Sequence, residues 1–213
     1  MELKLAIEFE NAVHHGSGYG AAGIIDRTVL RDSRGMPYLA GSGLKGKFRA
    51  AAAQLIRADK GKPCGPPGKG WCKGKTGCAL CELFGSPMRQ GLAIFRDGYP
   101  AEPERQVMRE QMRAAGAKED AAARPLQAAG VELRSTTAMS RYWKRAESEH
   151  LFVTEVVSRV VRFEAAIGGD LRPEHVRMLR DCGTLLTHFG GSGARGLGSC
   201  VYRIEDAAEA QHL

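Results

Sequence analysis

Leu39-Ala40-Gly41-Ser42-Gly43-Leu44-Lys45-Gly46-Lys47-Phe48-Arg49, continued by AAAAQLIRA over residues 50–58, is the stretch whose reading decides the fold. From Leu44 onward the apolar residues Leu44, Phe48, Ala51, Ala52, Leu55 and Ile56 recur at helical spacing. This predicts a helix over 44–58 with one face turned to a core. Ser42 stands just ahead, where a hydroxyl can cap the first turn. The glycines before it bring the backbone into a tight turn that ends on a helix N-terminus. Free N–H groups and the positive helix end attract phosphate there. Lys45, Lys47 and Arg49 add positive charge. The spacing is not that of a Walker A loop.

A helix with one apolar face needs another element to pack against. The N-terminus MELKLAIEFE supplies the first strand, over 2–10, because Leu3, Leu5, Ile7 and Phe9 alternate with mostly polar neighbours. Downstream, GLAIFRD (91–97) reads as a short buried strand. Residues 131–143 and 151–167 are rich in β-branched and aromatic residues, with Val153, Val157, Val161 and Phe163 in alternating register, and are expected to form a long hairpin. Residues 60–81, rich in Gly, Pro, Lys and Cys, read as a loop, and 100–130 as a surface helix followed by a mobile stretch. A second helix is predicted over 173–189: Pro173 fits its first turn, and Val176, Leu179, Cys182 and Leu186 line one face. GGSGARGLGS ends it, and CVYRI (200–204) makes the last strand. The order β, α, β, β, α, β predicts an α+β fold with a ferredoxin-like, RNA-recognition-motif core. That fold hosts many activities and fixes none.

The chain has 213 residues, 43% of them hydrophobic, which suits one domain with insertions and an adequate core. There is no apolar run of eighteen residues for a membrane helix and no signal-peptide core at the N-terminus, so a cytoplasmic protein is expected. The net charge of +7 is unevenly placed. Residues 41–75 carry nine Lys or Arg against Asp59 alone, and the rest of the chain is nearly neutral. Such a block suits a surface that meets a polyanion.

Four of the six cysteines, Cys64, Cys72, Cys78 and Cys81, fall within eighteen residues, and the last two form a CxxC knuckle. Four thiolates complete a tetrahedral shell with no open position, so the expected occupant is structural Zn2+. Neighbouring Lys69, Lys73 and Lys75 favour thiolates. The loop has little apolar content, so a metal would supply its folding energy. Disulfides are the alternative, and a cytoplasmic setting disfavours them. Cys182 and Cys200 sit in apolar patterns and are expected in the core.

Taken with Gly190-Gly191-Ser192-Gly193-Ala194-Arg195-Gly196-Leu197-Gly198, the glycine–helix stretch resembles the repeat-associated mysterious protein (RAMP) superfamily of CRISPR systems. That family shows a G-S-x-L-K-G-x-x-R helix start and a C-terminal G-G-x-x-x-R-G-x-G loop. Leu83-Phe84-Gly85-Ser86 matches its L-F-G motif, and Val13-His14-His15-Gly16 looks like its early L-H-x-G element. Ile25-Asp26-Arg27-Thr28-Val29 looks like its I-D-x-P-V segment, with Thr28 in place of proline. Leu133-Arg134-Ser135 and the strand of Glu155 follow in order, so the resemblance spans about residues 1–205. It is strongest to the backbone subunit of type III effectors. The cysteine insertion points to a zinc-bearing branch of the III-D or III-E kind.

The resemblance implies a single RAMP domain over 1–213, with a zinc-binding insertion at about 60–85 and a β-hairpin thumb at about 136–155. It implies a guide RNA, a target RNA, other effector subunits and copies of the chain or its paralogues as partners in a filament, and no membrane. His14, Ser42, Lys45, Lys47, Arg49, Arg141, Gly191, Ser192 and Arg195 become candidate RNA contacts. Asp26 matches the loop aspartate needed for target cleavage. It would act either as a base toward the RNA 2′-hydroxyl or as a ligand for Mg2+ or another divalent cation. Arg27 or Lys45 would offset transition-state charge. The family's Asp-Arg near the thumb is Ser140-Arg141 here. Met139, Tyr142 and Trp143 would meet splayed bases, with packing of Tyr142 and Trp143 on the sheet as the alternative. A non-catalytic scaffold subunit, a metal-independent guide-processing nuclease using His14 or His15, and a zinc-stabilised RNA-binding domain outside CRISPR are the competing readings.

Overall fold

A computed structural model of the chain describes residues 1–21, 23–64, 78–116 and 130–206. Its main sheet is built on β1 (Glu2–Phe9) at the centre. On one side β1 pairs antiparallel with β6 (Phe163–Gly168), with Leu5 opposite Ala165 and Ile7 opposite Phe163. On the other it pairs antiparallel with β7 (Cys200–Asp206), with Ile7 opposite Tyr202 and Phe9 opposite Cys200. The short strands β2 (Ile94–Phe95) and β3 (Tyr99–Pro100) both pair with β6, giving the order β2-β6-β1-β7 with β3 beside β6.

The two-residue period of β1 divides the sheet into unlike faces. Leu3, Leu5, Ile7 and Phe9 are buried, as are Phe163, Ala165, Ile167, Cys200 and Tyr202 from the neighbouring strands. Each large side chain buried here contributes roughly 1.5–3 kcal/mol. This face is covered by α1 (Gly41–Ala58) and α4 (Pro173–Leu185), which also pack on one another. Phe48 of α1 sits edge-on to Tyr202, with ring centroids 5.7 Å apart. The opposite face carries ion pairs instead, Lys4–Glu164 at 2.8 Å and Arg203–Glu8 at 2.9 Å.

Three sequence expectations need correction. The stretch 151–167 is not one hairpin arm. The hairpin consists of β4 (Val131–Met139) and β5 (Ala146–Val157), and the chain then turns so that β6 enters the main sheet. The second helix stops at Leu185, with extended backbone at Leu186. Ser42 does not cap α1. The capping position is Ala40, and the first helical amide, that of Gly41, donates to Asp97 Oδ1 at 2.7 Å. A carboxylate from the β2–β3 turn thus replaces the local hydroxyl, and it also suits the positive helix end.

Two further helices flank this core, α2 (Ala79–Phe84) and α3 (Glu104–Gly116). The first falls partly in what the sequence reads as loop. The second matches the helix expected in the 100–130 region, whose later part lies outside the described residues. No described helix is long and apolar enough to cross a membrane.

Candidate nucleic-acid interface and cysteine centre

Residues far apart in sequence meet where the hairpin leaves the core. Val13 and Val157 exchange both backbone hydrogen bonds (2.9 and 2.8 Å), which ties the end of the first strand's extension to the base of β5. Next to it, the Gly191 amide donates to the His14 carbonyl at 2.8 Å. Gly190 has φ +84°, and a Cβ there would lie 2.5 Å from the same carbonyl. Only glycine allows the C-terminal loop to lie this close. The early histidine motif and the late glycine loop are therefore two sides of one junction.

His14 is buried, and its Nδ1–H donates to the Glu155 carbonyl at 2.8 Å. His15 faces the other way. Its Nε2 accepts from the Ala40 amide at 3.1 Å and its ring lies against Phe189, so it braces the start of α1 against the glycine loop. Burial, with a smaller push from His14, holds the His15 pKa below its usual 6.5, while Asp97 opposes the shift.

Asp26 is exposed at the base of the hairpin and docked on it. Its amide donates to the Val153 carbonyl at 2.9 Å, and its Oδ2 accepts from the Val153 amide at 2.7 Å. The Glu155 amide then donates to the Arg27 carbonyl at 2.8 Å. Glu155 itself is 4% exposed and fixes the next residues of the loop. Its two oxygens accept from the Val29 amide (2.9 Å) and from Arg31 Nη2 (3.2 Å). His14, Gly16, Gly18, Tyr19, Asp26, Arg27, Thr28 and Gly191 line a cleft of about 470 Å³ at this junction.

Of the C-terminal loop residues, Ser192 is left-handed (φ 61°) and Arg195 ends a single 3-10 turn with an exposed side chain. Arg141 lies in the turn at the hairpin tip. Beside it, Tyr142 (82% exposed) and Trp143 (67%) are solvent-facing and not packed on the sheet. They stand edge to face at 4.7 Å, with Arg145 over the Trp143 ring. Packing of Tyr142 and Trp143 on the sheet is thereby excluded.

Lys45, Lys47 and Arg49 do not form one uniform patch. Lys45 Nζ donates to the Ala93 carbonyl at 3.0 Å, and burial then Arg49 lower its pKa. Arg49 Nη1 donates to the Gly85 carbonyl at 2.6 Å, and its Nη2 lies 4.0 Å from Cys81 Sγ. Both cations thus hold the segment that follows the CxxC knuckle. Lys47 lies on a partly exposed flank of α1, and Ser42 is exposed in its first turn.

The sulfurs of Cys64, Cys78 and Cys81 lie within 4.8 Å of one another, with Cys64 and Cys78 3.2 Å apart. A tetrahedral zinc shell with Zn–S of about 2.3 Å places sulfurs about 3.8 Å apart. The three sulfurs are thus close enough to share one metal ion, with Cys64 and Cys78 nearer to each other than that shell places them. Cys78 and Cys81 are thiols, whereas Cys64 is disulfide-bonded, so the metal-bound form requires that sulfur reduced. Cys72, the fourth expected ligand, lies outside the described residues, as do Lys69, Lys73 and Lys75. Burial raises the Cys81 pKa, opposed by its hydrogen bond from Arg49. Cys182 and Cys200 are core residues, as expected, with thiol pKa values pushed up by burial to about 12 and about 11.

The sequence missed Asp97 as the cap of α1, the Arg31–Glu155 pair, and the inward use of Lys45 and Arg49. A signal for the first was available. The opening turn of α1 contains no acidic residue, so its free amides need acceptors from elsewhere in the chain or from water, and a carboxylate is one that also suits the positive helix end.

A mixed α+β chain with an antiparallel sheet, a projecting hairpin and two glycine loops at one junction defines the class. The RAMP superfamily profile matches residues 6–201, and the chain belongs to that superfamily. The fold is similar to a chain in the cryo-EM structure of the type III-B Cmr-beta complex bound to cognate target RNA. The TM-score is 0.64 at 13% identity, with 96% of this chain and 97% of that chain covered. A chain in the apo-state cryo-EM structure of the type III-B Cmr-beta complex gives 0.63 at 14% identity, with the same coverage. No curated protein matches the sequence significantly.

Proposed function

We propose that this chain is a guide-RNA-binding backbone subunit of a type III CRISPR effector that cleaves the target RNA paired with the guide. The observation that carries this reading is the place of Asp26: exposed, beside a cleft, at the foot of a projecting hairpin and hydrogen-bonded to it. The sheet order β2-β6-β1-β7, with every neighbour antiparallel, supports the ferredoxin-like core. The hairpin serves as the thumb, and the cysteine segment leading into α2 is a zinc-binding insertion held by Cys64, Cys72 and Cys78 together with Cys81 of α2.

In this reading Ser42, Lys47, Gly191, Ser192 and Arg195 track the guide backbone. Gly190 and Gly191 let the loop lie close to His14, which acts as a strut. Arg141, Tyr142 and Trp143 at the hairpin tip meet the guide–target duplex, and the aromatic rings stack on displaced bases. A kink in the target strand aligns its 2′-hydroxyl with the adjacent phosphate: Asp26 accepts the hydroxyl proton, the 2′-oxygen bonds to phosphorus, and the P–O5′ bond breaks, leaving a 2′,3′-cyclic phosphate and a 5′-oxygen that takes a proton from water. Asp26 is in no cluster of three or more His, Cys or acidic ligands among the described residues. A divalent ion such as Mg2+ held there would take its other ligands from RNA and water, so Asp26 would serve either as the base or as one ligand of such an ion. Arg27, next to Asp26, faces the developing phosphorane charge. Copies of the chain or its paralogues stacked along the guide would repeat this arrangement at regular intervals.

Asp26→Asn tests the proposal cleanly, because an amide oxygen can still accept from Val153 N–H while the charge is lost. In an assembled complex, the variant is expected to retain guide binding and to lose at least a hundredfold in target cleavage. Undiminished cutting would remove Asp26 from the chemistry. An intact target with both parent and variant would leave the chain as a non-catalytic scaffold subunit.

A further inference from the structure

Arg49 lies in the motif by which the chain resembles an RNA-binding family, yet its guanidinium points at the cysteine centre. Nη1 donates to the Gly85 carbonyl, and Nη2 reaches toward Cys81 Sγ. One helical turn earlier, Lys45 donates to the Ala93 carbonyl. The segment these two residues grip is itself folded back on α2. The Leu92 amide donates to the Glu82 carbonyl (2.9 Å), and the Ala93 amide donates to the Leu83 carbonyl (3.0 Å). Gly91 permits this return, since a Cβ there would lie 2.4 Å from the Gly85 nitrogen. The result is a closed loop, Phe84 to Ala93, clamped along one ridge of α1 by residues four apart.

We infer that Arg49 is a positioning residue of the metal centre, orienting the Cys81 sulfur and joining the cysteine segment to α1, and does not contact guide phosphate. Three physical points support this. A planar guanidinium can serve a carbonyl and a sulfur at once with fixed geometry, which a lysine ammonium does not reproduce. Donors to a metal-bound thiolate partly neutralise its charge and set its direction, and losing such outer groups typically costs about 10–100-fold in metal affinity. The Gly85 carbonyl lies four residues past Cys81 and ends α2, so the same side chain fixes both the ligand and the helix that carries it. Metal occupancy and the placement of α1 are then linked, and by reciprocity whatever orders α1 tightens the metal site.

The test measures zinc affinity of the full chain by competition with a chromogenic chelator in reducing buffer, without RNA. Its outcome is therefore independent of the RNA-binding proposal. Arg49→Lys, which keeps the charge and removes the fork, is expected to weaken zinc binding at least tenfold. A parent-like affinity in this variant overturns the inference, as does a parent chain that takes up no zinc. Arg49→Ala is then compared with Lys47→Ala at saturating zinc, which offsets lost folding stability by mass action. The salt dependence of RNA binding should drop by about 0.7 in slope for Lys47→Ala, as for one lost phosphate contact. It should stay at the parent value for Arg49→Ala. An equal drop for Arg49→Ala overturns the claim that Arg49 leaves the phosphate alone.

Discussion

Replacing Glu155 by Ala should loosen the loop that carries Asp26 more than any change at Asp26 itself. The carboxylate is 4% exposed and accepts from the buried Val29 amide and from Arg31, whose side chain is 24% exposed. Removing one partner of a buried charged pair costs about 3–5 kcal/mol. Arg31 can turn toward water and keeps its hydrogen bond to the Gly35 carbonyl (3.2 Å), so the lower end, about 3 kcal/mol, applies. For a chain of this size that is a fall of roughly 6–12 °C in melting temperature. Glu155→Gln retains an acceptor for Val29 and should lose only about 1–2 kcal/mol. Urea unfolding of both variants, followed by circular dichroism at constant m-value, gives the free energies. Amide exchange at Asp26 and Val29 reports the loop directly. A thermal midpoint for Glu155→Ala, followed by the same circular-dichroism signal, within about 2 °C of the parent would refute the pinning role, and so would unchanged exchange at both amides.

Trp143→Ala should change stability by less than about 0.5 kcal/mol, because the ring is exposed. It should weaken capture of the target duplex by the assembled complex by about 1–3 kcal/mol, read as a shift in titration midpoint. Equal binding by parent and variant would take the hairpin tip out of base contact. The His15 pKa is lowered on folding, so the unfolded chain binds the proton more tightly. Stability from this group is complete above the unfolded value of 6.5 and declines as pH falls below it toward the lowered native value. Melting temperatures between pH 5 and 7.5 should therefore fall toward acid for the parent, and less steeply for His15→Gln. Identical slopes would remove His15 from the acid response.

How far the sequence could be read depended on the range of each interaction. The α1 face and the alternation in β1 are local, since burial acts on residues spaced by the element's own period. Leu44, Phe48, Ala51 and Ala52 are buried as expected. Hairpin arm and sheet strand could not be separated by period, because both run at two residues. The division after Val157 depends on Val13 pairing with it, about 140 residues away in sequence. Charge was harder still. Lys45 and Arg49 look like phosphate ligands by type and position, but the acceptors they meet are carbonyls brought alongside by the folded-back loop after α2. Ser42 illustrates the same point in reverse: the helix begins at Gly41, so a hydroxyl suited to capping lies inside the first turn and stands exposed, while Asp97 accepts from the Gly41 amide.

The double attachment of Asp26 to Val153 has a mechanical consequence. The tip of the hairpin lies roughly 20 Å along β5 from that residue. Amide and carboxylate grip the same strand position, so the acid moves as a rigid passenger of the arm. Under the proposed function, a strand that tilted the arm by a few degrees would carry the carboxylate with it, coupling engagement at the far end to alignment at the near one.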